Sequence, residues 1–277
     1  MVSIGQINHL KVVKQVDFGV FLDGGSDGNI LLPRRYVPQQ AEVGNSLDVF
    51  IYLDSEDDLI ATTETPKVMV GECAYLKVTD VNQHGAFLDW GLSKELLVPF
   101  NEQHRRMEEG KSYVVTVYLD KSTQRLAASS RLSKHLQEHS RRFRPQQAVD
   151  LLISDRSDMG YKAVINHTHL GLIFRDDAFK PLKTGTRIKG YIKDIRRDGK
   201  IDLSLQLPPV QQRDALTEEI MAHLEANGGV SNLTDKSPPD DIYQAFNVSK
   251  GSYKKALGAL YKARRIVIEK ERIRLPD

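Results

Sequence analysis

Hydrophobic residues in this chain come in short bursts, each closed by Gly, Asp or Asn. Within a burst they alternate with polar ones, the period of a strand with one buried face. After Gly19, Val20 and Leu22 fall on one side and Phe21 and Asp23 on the other. After Gly85, Ala86, Leu88 and Trp90 alternate with Phe87 and Asp89. A glycine at the head of such a burst suits a bulge or tight bend. About five such strands in some 65 residues, separated by Gly/Asp turns, predict a small closed barrel.

The pattern repeats. Val16–Asp23 and Val81–Asp89 share an order of polar residue, ring, Gly, small residue, Phe, Leu, Asp, and their glycines stand 66 residues apart. Val49–Asp54 and Val115–Asp120 match at the same offset of 66. A third, weaker copy places Ser157–Ala163 at the first landmark and Ile188–Asp194 at the second, with Lys200–Leu205 as its closing strand. Two landmarks at one offset mark a duplication.

Past Pro208-Pro209 the period lengthens. Leu216, Ile220 and Leu224 recur every four residues, and Gly228-Gly229 closes that helix. A short helix is predicted around 240–246. Ser249 reads as the N-cap of another, with Tyr253, Leu257, Leu260 and Tyr261 on one face. Arg265–Glu269 and Arg272–Leu275 read as a hairpin. Three helices and a β-wing predict a winged helix. The fold class is therefore mainly β: three tandem OB-fold barrels at 1–66, 67–142 and 143–208, then a small α/β winged-helix domain at 209–277. Ser129–Pro145, between the second and third barrels, reads as a basic helix ended by proline, either a spacer or an extra phosphate contact.

Composition narrows the class. Apolar residues make up 40% of the chain, and no run reaches the roughly 18 of a membrane span. The first residues show no basic region ahead of a hydrophobic stretch. The single cysteine, Cys73, allows neither an internal disulfide nor a Cys-rich zinc site. A cytoplasmic protein with no membrane contact is expected. The net charge of +2 conceals a gradient: 1–66 carries −6, 67–142 carries +3, 143–208 carries +4 and 209–277 carries +1. A polyanion would find the first barrel its poorest surface.

The two Gly-x-Phe-Leu-Asp segments, Leu31-Leu32-Pro33, Leu96-Leu97-Val98-Pro99 and the strand Arg125–Ser129 resemble the RNA-binding domain type named after ribosomal protein S-one. Three such domains before a winged helix resemble the conserved virulence factor B family of bacterial RNA-binding proteins, over nearly the whole chain. Pro33-Arg34 and Pro99-Phe100 stand where the domain type usually carries His-Ser. The resemblance implies a binding face made of the ring before the glycine and the ring after it: Phe18 and Phe21, His84 and Phe87, then Met159 and Tyr161. Single strands are held by stacking on such rings and by cations at the phosphates. Basic candidates are Lys94, Arg125 and Arg131 in the second copy, and Lys162, Lys189, Lys193, Arg196, Arg197 and Lys200 in the third. On the last helix Lys255 and Lys262 fall opposite the apolar face, with Lys250 and Lys254 near its edge. The expected RNA-binding set is Phe18, Phe21, His84, Phe87, Arg125, Tyr161, Lys162, Arg196, Arg197, Lys200, Lys254, Lys255 and Lys262.

Nothing in the chain demands catalysis. Gly110-Lys111-Ser112 lacks the leading glycine of a phosphate loop, since Arg105 stands in its place. The pairs His135/His139 and His167/His169 have no third ligand at metal-binding spacing. Asp54, Asp120 and Asp194 recur at matching points and suit turn capping. The expectation is a non-enzymatic protein without cofactor or metal, whose partner is single-stranded RNA. A DNA-binding transcription regulator and a ribosome- or nuclease-associated adaptor remain as alternatives; the oligomeric state is left open.

Overall fold

Alternation becomes burial. Val20, Leu22, Ala86 and Leu88 are all fully buried, while Phe21 and Phe87 turn outward and stay half-exposed. A computed structural model gives the architecture. It describes all residues except Gln40, Ser55, Phe179, Lys180, Leu207, Pro208, Asn247 and Asp277, and omits the side chains of Asp176 and 209–214. Pro208, half of the expected Pro-Pro boundary, thus lies outside the described residues. The chain divides into two units, Met1–Leu205 and Gln206–Asp277.

The first unit holds three five-stranded bodies. The first is a closed barrel of β1 (Ile7–Val16), β2 (Gly19–Asp23), β3 (Asn29–Pro33), β4 (Ser46–Leu53) and β5 (Leu59–Thr62), in the order β1-β2-β3-β5-β4. The second comprises β6 (Cys73–Asn82), β7 (Gly85–Asp89), β8 (Leu96–Pro99), β9 (Ser112–Leu119) and β10 (Leu126–Ser129), ordered β10-β9-β6-β7-β8. The third is closed like the first: β11 (Ala148–Ser157), β12 (Gly160–Ile165), β13 (His169–Phe174), β14 (Arg187–Ile195) and β15 (Ile201–Ser204).

Gly19, Gly85 and Gly160 have one cause. A Cβ at any of them would sit 2.0–2.3 Å from a carbonyl oxygen of the facing strand, so no other residue fits. The first strand of each barrel also carries a bulge at the same place, between Val12 and Lys14, Val78 and Asp80, and Ile153 and Asp155. A bulge bends the strand enough to close a small barrel. Two bulge residues carry hydroxyls: Thr79 donates to the Phe87 carbonyl at 2.9 Å and Ser154 to that of Lys162 at 3.1 Å.

The barrels are joined by side chains. Between the first and second, Phe50 meets Trp90 edge to face at 5.6 Å, and Lys94 Nζ donates to the Leu53 and Asp54 carbonyls at 2.7 Å each. Between the second and third, Cys73, Val114, Leu136, Leu152 and Val164 form a separate apolar cluster. There the Cys73 amide donates to His167 Nδ1 at 2.8 Å, and Arg187 donates to the Cys73 carbonyl at 3.0 Å.

The spacer departs from the expected helix. Only Leu132–His135 (α1) is helical. Leu136 then turns extended and is buried, Gln137 bridges His169, and His139 bridges Lys200. Backbone partners on the third barrel win over a weak local helical preference, so residues 137–139 run as a strap along that barrel. Asp54 and Asp120 cap their turns as expected, accepting from the amides of Glu56 and Asp58, and of Ser122 and Thr123. In the third barrel the counterpart is not Asp194. The turn closes from Arg196 N to Lys200 O, and Asp198 caps it.

The second unit packs α2 (Pro209–Ala226), α3 (Pro239–Phe246) and α4 (Lys250–Lys262) with a small sheet of β16 (Val230–Ser231), β17 (Val267–Ile268) and β18 (Ile273–Arg274). Leu216, Ile220 and Leu224 meet Tyr253, Leu257 and Leu260 in its core. Ser249 caps α4 by accepting from the Ser252 amide. Tyr261 does not join that core: it stands 57% exposed, at the edge of the helical stripe it was expected to share.

Candidate nucleic-acid interface

The face that the resemblance implies is present in each barrel with different equipment. In the first, Phe18 is 59% exposed and meets the half-buried Phe21 edge to face at 6.2 Å. In the second, His84 is exposed on the hairpin turn and Phe87 lies half-exposed on β7. In the third, Met159 is exposed, but Tyr161 is only 7% exposed and packs in the barrel core. Tyr161 is thus corrected from ligand contact to core. It follows Gly160 by one residue, whereas Phe21 and Phe87 follow their glycines by two, and a one-residue slip exchanges the faces of a strand. Lys162 takes the outward place, and its carbonyl is held by Ser154 just as that of Phe87 is held by Thr79.

Sequence reasoning missed a ring. Phe174 pairs with Gly160 across the ladder, where Pro33 pairs with Gly19 and Pro99 with Gly85. The Arg196 guanidinium lies 5.3 Å from its ring centroid, within cation–π range. Aligning the third copy on Phe174-Arg175 against Pro33-Arg34 and Pro99-Phe100 would have revealed it.

The predicted cations divide. Arg125 pairs with Asp57 of the first barrel, which raises the arginine's pKa and lowers the aspartate's. The structure therefore gives Arg125 a partner in the acidic first barrel, away from the groove described next. Lys189 pairs with Asp150, and Lys193 with Asp177. Arg196 is held by both oxygens of Asp202 at 2.9 and 3.0 Å. Arg197 and Lys200 are exposed at the hairpin, and Lys162 is exposed on β12. Among the described residues none of these three has an acidic partner within 4.0 Å. In the second unit Lys254, Lys255 and Lys262 are exposed on α4, with Asp235 3.9 Å from Lys254. Lys250 is engaged by the Lys236 and Ser237 carbonyls.

Within the first unit the third barrel's face opens onto a groove of about 820 Å³ shared with the second barrel. Arg105, Arg131 and Lys134 line it on one side, and Lys162, Arg196 and Lys200 on the other. Its wall is fixed by Glu102, whose side chain is 5% exposed. Burial alone would raise that carboxyl's pKa. Hydrogen bonds from Lys134, His135 and Ser129 reverse the effect and hold it at about 2. The Glu102 carbonyl also accepts from the Ser130 and Arg131 amides.

Of the histidines weighed as metal ligands, His169 keeps a buried Nε2 without a hydrogen-bond partner among the described residues, while its Nδ1 meets Thr168 at 2.9 Å. His135 lies 3.0 Å from Glu102 and against the Tyr118 ring, and His167 accepts the Cys73 amide. Burial pushes the Cys73 thiol up to about 11. No helix among the described residues is long and apolar enough to cross a membrane.

Residues 4–64 and 70–130 match the S1 domain, and residues 218–275 match the CvfB-like winged helix domain. Both are nucleic-acid-binding domain types. The third barrel lies outside these matches but repeats the strand order of the first. The chain is 29% identical to the uncharacterized protein YitL of Bacillus subtilis, over 93% of this chain and 89% of that one. It is 28% identical to conserved virulence factor B of Staphylococcus epidermidis, over 98% and 94%. A solved multidomain protein with nucleic acid binding domains from Streptococcus pneumoniae aligns over 99% and 98% of the two chains, at 23% identity and a TM-score of 0.41. The chain thus carries S1 domains followed by a CvfB-like winged helix domain, and its relatives include proteins named conserved virulence factor B.

Proposed function

We propose that the protein binds single-stranded RNA, without catalysing a reaction on it, in the post-transcriptional control of gene expression in the cytoplasm. The observation that carries this reading is the outward position two residues after each landmark glycine. It bears Phe21, Phe87 and Lys162, while the residues on either side fill the barrel cores. An exposed ring takes a base and an unpaired ammonium takes a phosphate. Each stacked base contributes ~1–3 kcal/mol with little regard for sequence. The set proposed for contact is Phe18, Phe21, His84, Phe87, Lys162, Arg196, Arg197 and Lys200, with Lys254, Lys255 and Lys262 on α4.

Binding of labelled single-stranded RNA, single-stranded DNA and duplex DNA, each at several salt concentrations, tests the proposal. RNA is expected to bind most tightly, with affinity falling as salt rises. Preference for duplex DNA would turn the reading to a transcription regulator acting through α4, and no salt-dependent binding would turn it to a protein adaptor.

A further inference from the structure

The groove between the second and third barrels has a feature that neither barrel face has alone. Asp155 stands opposite Lys162 across the β11–β12 ladder, and Arg105 reaches it from the second barrel at 3.7 Å. A strong charge-assisted hydrogen bond would lie at about 2.7–2.9 Å. Arg105 is 65% exposed and Asp155 38%, so water screens the pair and it contributes little to stability. Glu102 and Asp202 engage Lys134 and Arg196 at much closer range. Among the described residues Arg105, Lys162 and Lys200 face the groove with no close ion pair, beside Asp155, whose Oδ1 also accepts from the Arg156 amide at 2.9 Å, and beside the exposed carboxylates of Glu138 and Asp158.

We infer that this groove is a composite site for the phosphodiester backbone of single-stranded RNA. Arg105 and Lys162 bind a phosphate from opposite walls, and Asp155 is the internal anion that occupies the place of that phosphate until RNA arrives. The inference deepens the RNA reading above and rests on it. Three things support it. The Cys73–Val114–Leu136–Leu152–Val164 cluster and the His167 and Arg187 hydrogen bonds preform the cleft. The Glu102 clamp orders the wall that carries Arg131 and Lys134. The groove is continuous with the outward side of β12, where Lys162 stands in the place of Phe21 and Phe87. A carboxylate in such a place lowers affinity for a polyanion, so removing its charge strengthens binding.

The test measures binding of a labelled, unstructured oligouridylate to the full chain and to Arg105→Gln, Asp155→Asn and Asp150→Asn variants across a salt series, with denaturation midpoints to confirm folding. Asp150→Asn changes the net charge equally on the same strand but outside the groove. Losing one phosphate contact lowers the salt slope by ~0.7, which is about fivefold in affinity at about 0.1 M salt. Arg105→Gln is expected to show that loss. Asp155→Asn is expected to tighten binding by more than Asp150→Asn, which frees only Lys189, outside the groove. Arg105→Gln is expected to cost more in the Asp155→Asn background, because Asp155 no longer competes. Unchanged affinity in both groove variants, or equal tightening by the two Asp→Asn changes, overturns the composite site and leaves RNA binding standing. A parent chain that binds no single-stranded RNA overturns both.

Discussion

The Glu102 clamp gives the sharpest stability prediction. The perturbation is Glu102→Gln, which keeps the shape but removes the charge that Lys134 and His135 face. The carboxyl is held at about 2 against its ordinary 4.5. Each pKa unit is worth about 1.4 kcal/mol, so the clamp contributes at most about 3 kcal/mol. Lys134 is half-exposed and water screens its share, which lowers the figure. For a unit of this size ~3 kcal/mol corresponds to roughly 6–12 °C in Tm. The sign follows from the depressed pKa. The unfolded state binds the proton first, so the contribution is complete above about pH 4.5 and drains away as pH falls toward 2. Thermal melts of parent and variant at pH 7 and at steps down to pH 3 are the assay. The variant is expected to melt several degrees lower at pH 7, with the gap narrowing below pH 4.5. A gap that stays constant from pH 7 to pH 3 would refute the electrostatic account and leave only packing.

Tyr161→Ala is expected to cost on the order of 3–5 kcal/mol in urea denaturation, as for a truncated core ring. Lys162→Ala is expected to leave stability unchanged while weakening RNA binding; the opposite pattern would reverse their faces. Gly160→Ala is expected to destabilise the third barrel without touching the melting of Gln206–Asp277, because its Cβ would lie 2.0 Å from the Ile173 carbonyl oxygen. Cys73, fully buried with its thiol pushed up to about 11, is expected to resist a thiol reagent at neutral pH and react only when the second and third barrels separate. Fast labelling of the folded chain would show that cluster to be open.

Much of this fold was legible because it is written twice. The shared offset of 66 residues and the alternation after Gly19 and Gly85 set strand positions and faces together, and burial follows them residue by residue. In the third copy the ring of Tyr161 follows its glycine by one residue and not two, so a ring stands at the landmark but on the inward face. The spacer escapes sequence reading because Gln137 and His139 take their structure from His169 and Lys200, and a local pattern carries no trace of such partners. Tyr261 failed for a simpler reason: an edge position on a helix obeys the period whether buried or not. The groove was beyond sequence reading altogether. Arg105 and Asp155 stand fifty residues apart, in different barrels, and only the packing around Cys73 brings them together.

That packing, with the Phe50–Trp90 and Lys94 contacts on the other side, also bears on the proposed binding of a single strand. The barrels do not hang on free tethers, so the steps from Phe21 to Phe87 to Lys162 are marks on a ruler. A strand held at one mark meets the next at a high effective concentration, if it is long enough to reach and not otherwise. On the proposed RNA reading, affinity is expected to rise with RNA length in steps, one for each barrel spanned, so that ligands are distinguished by how far they extend.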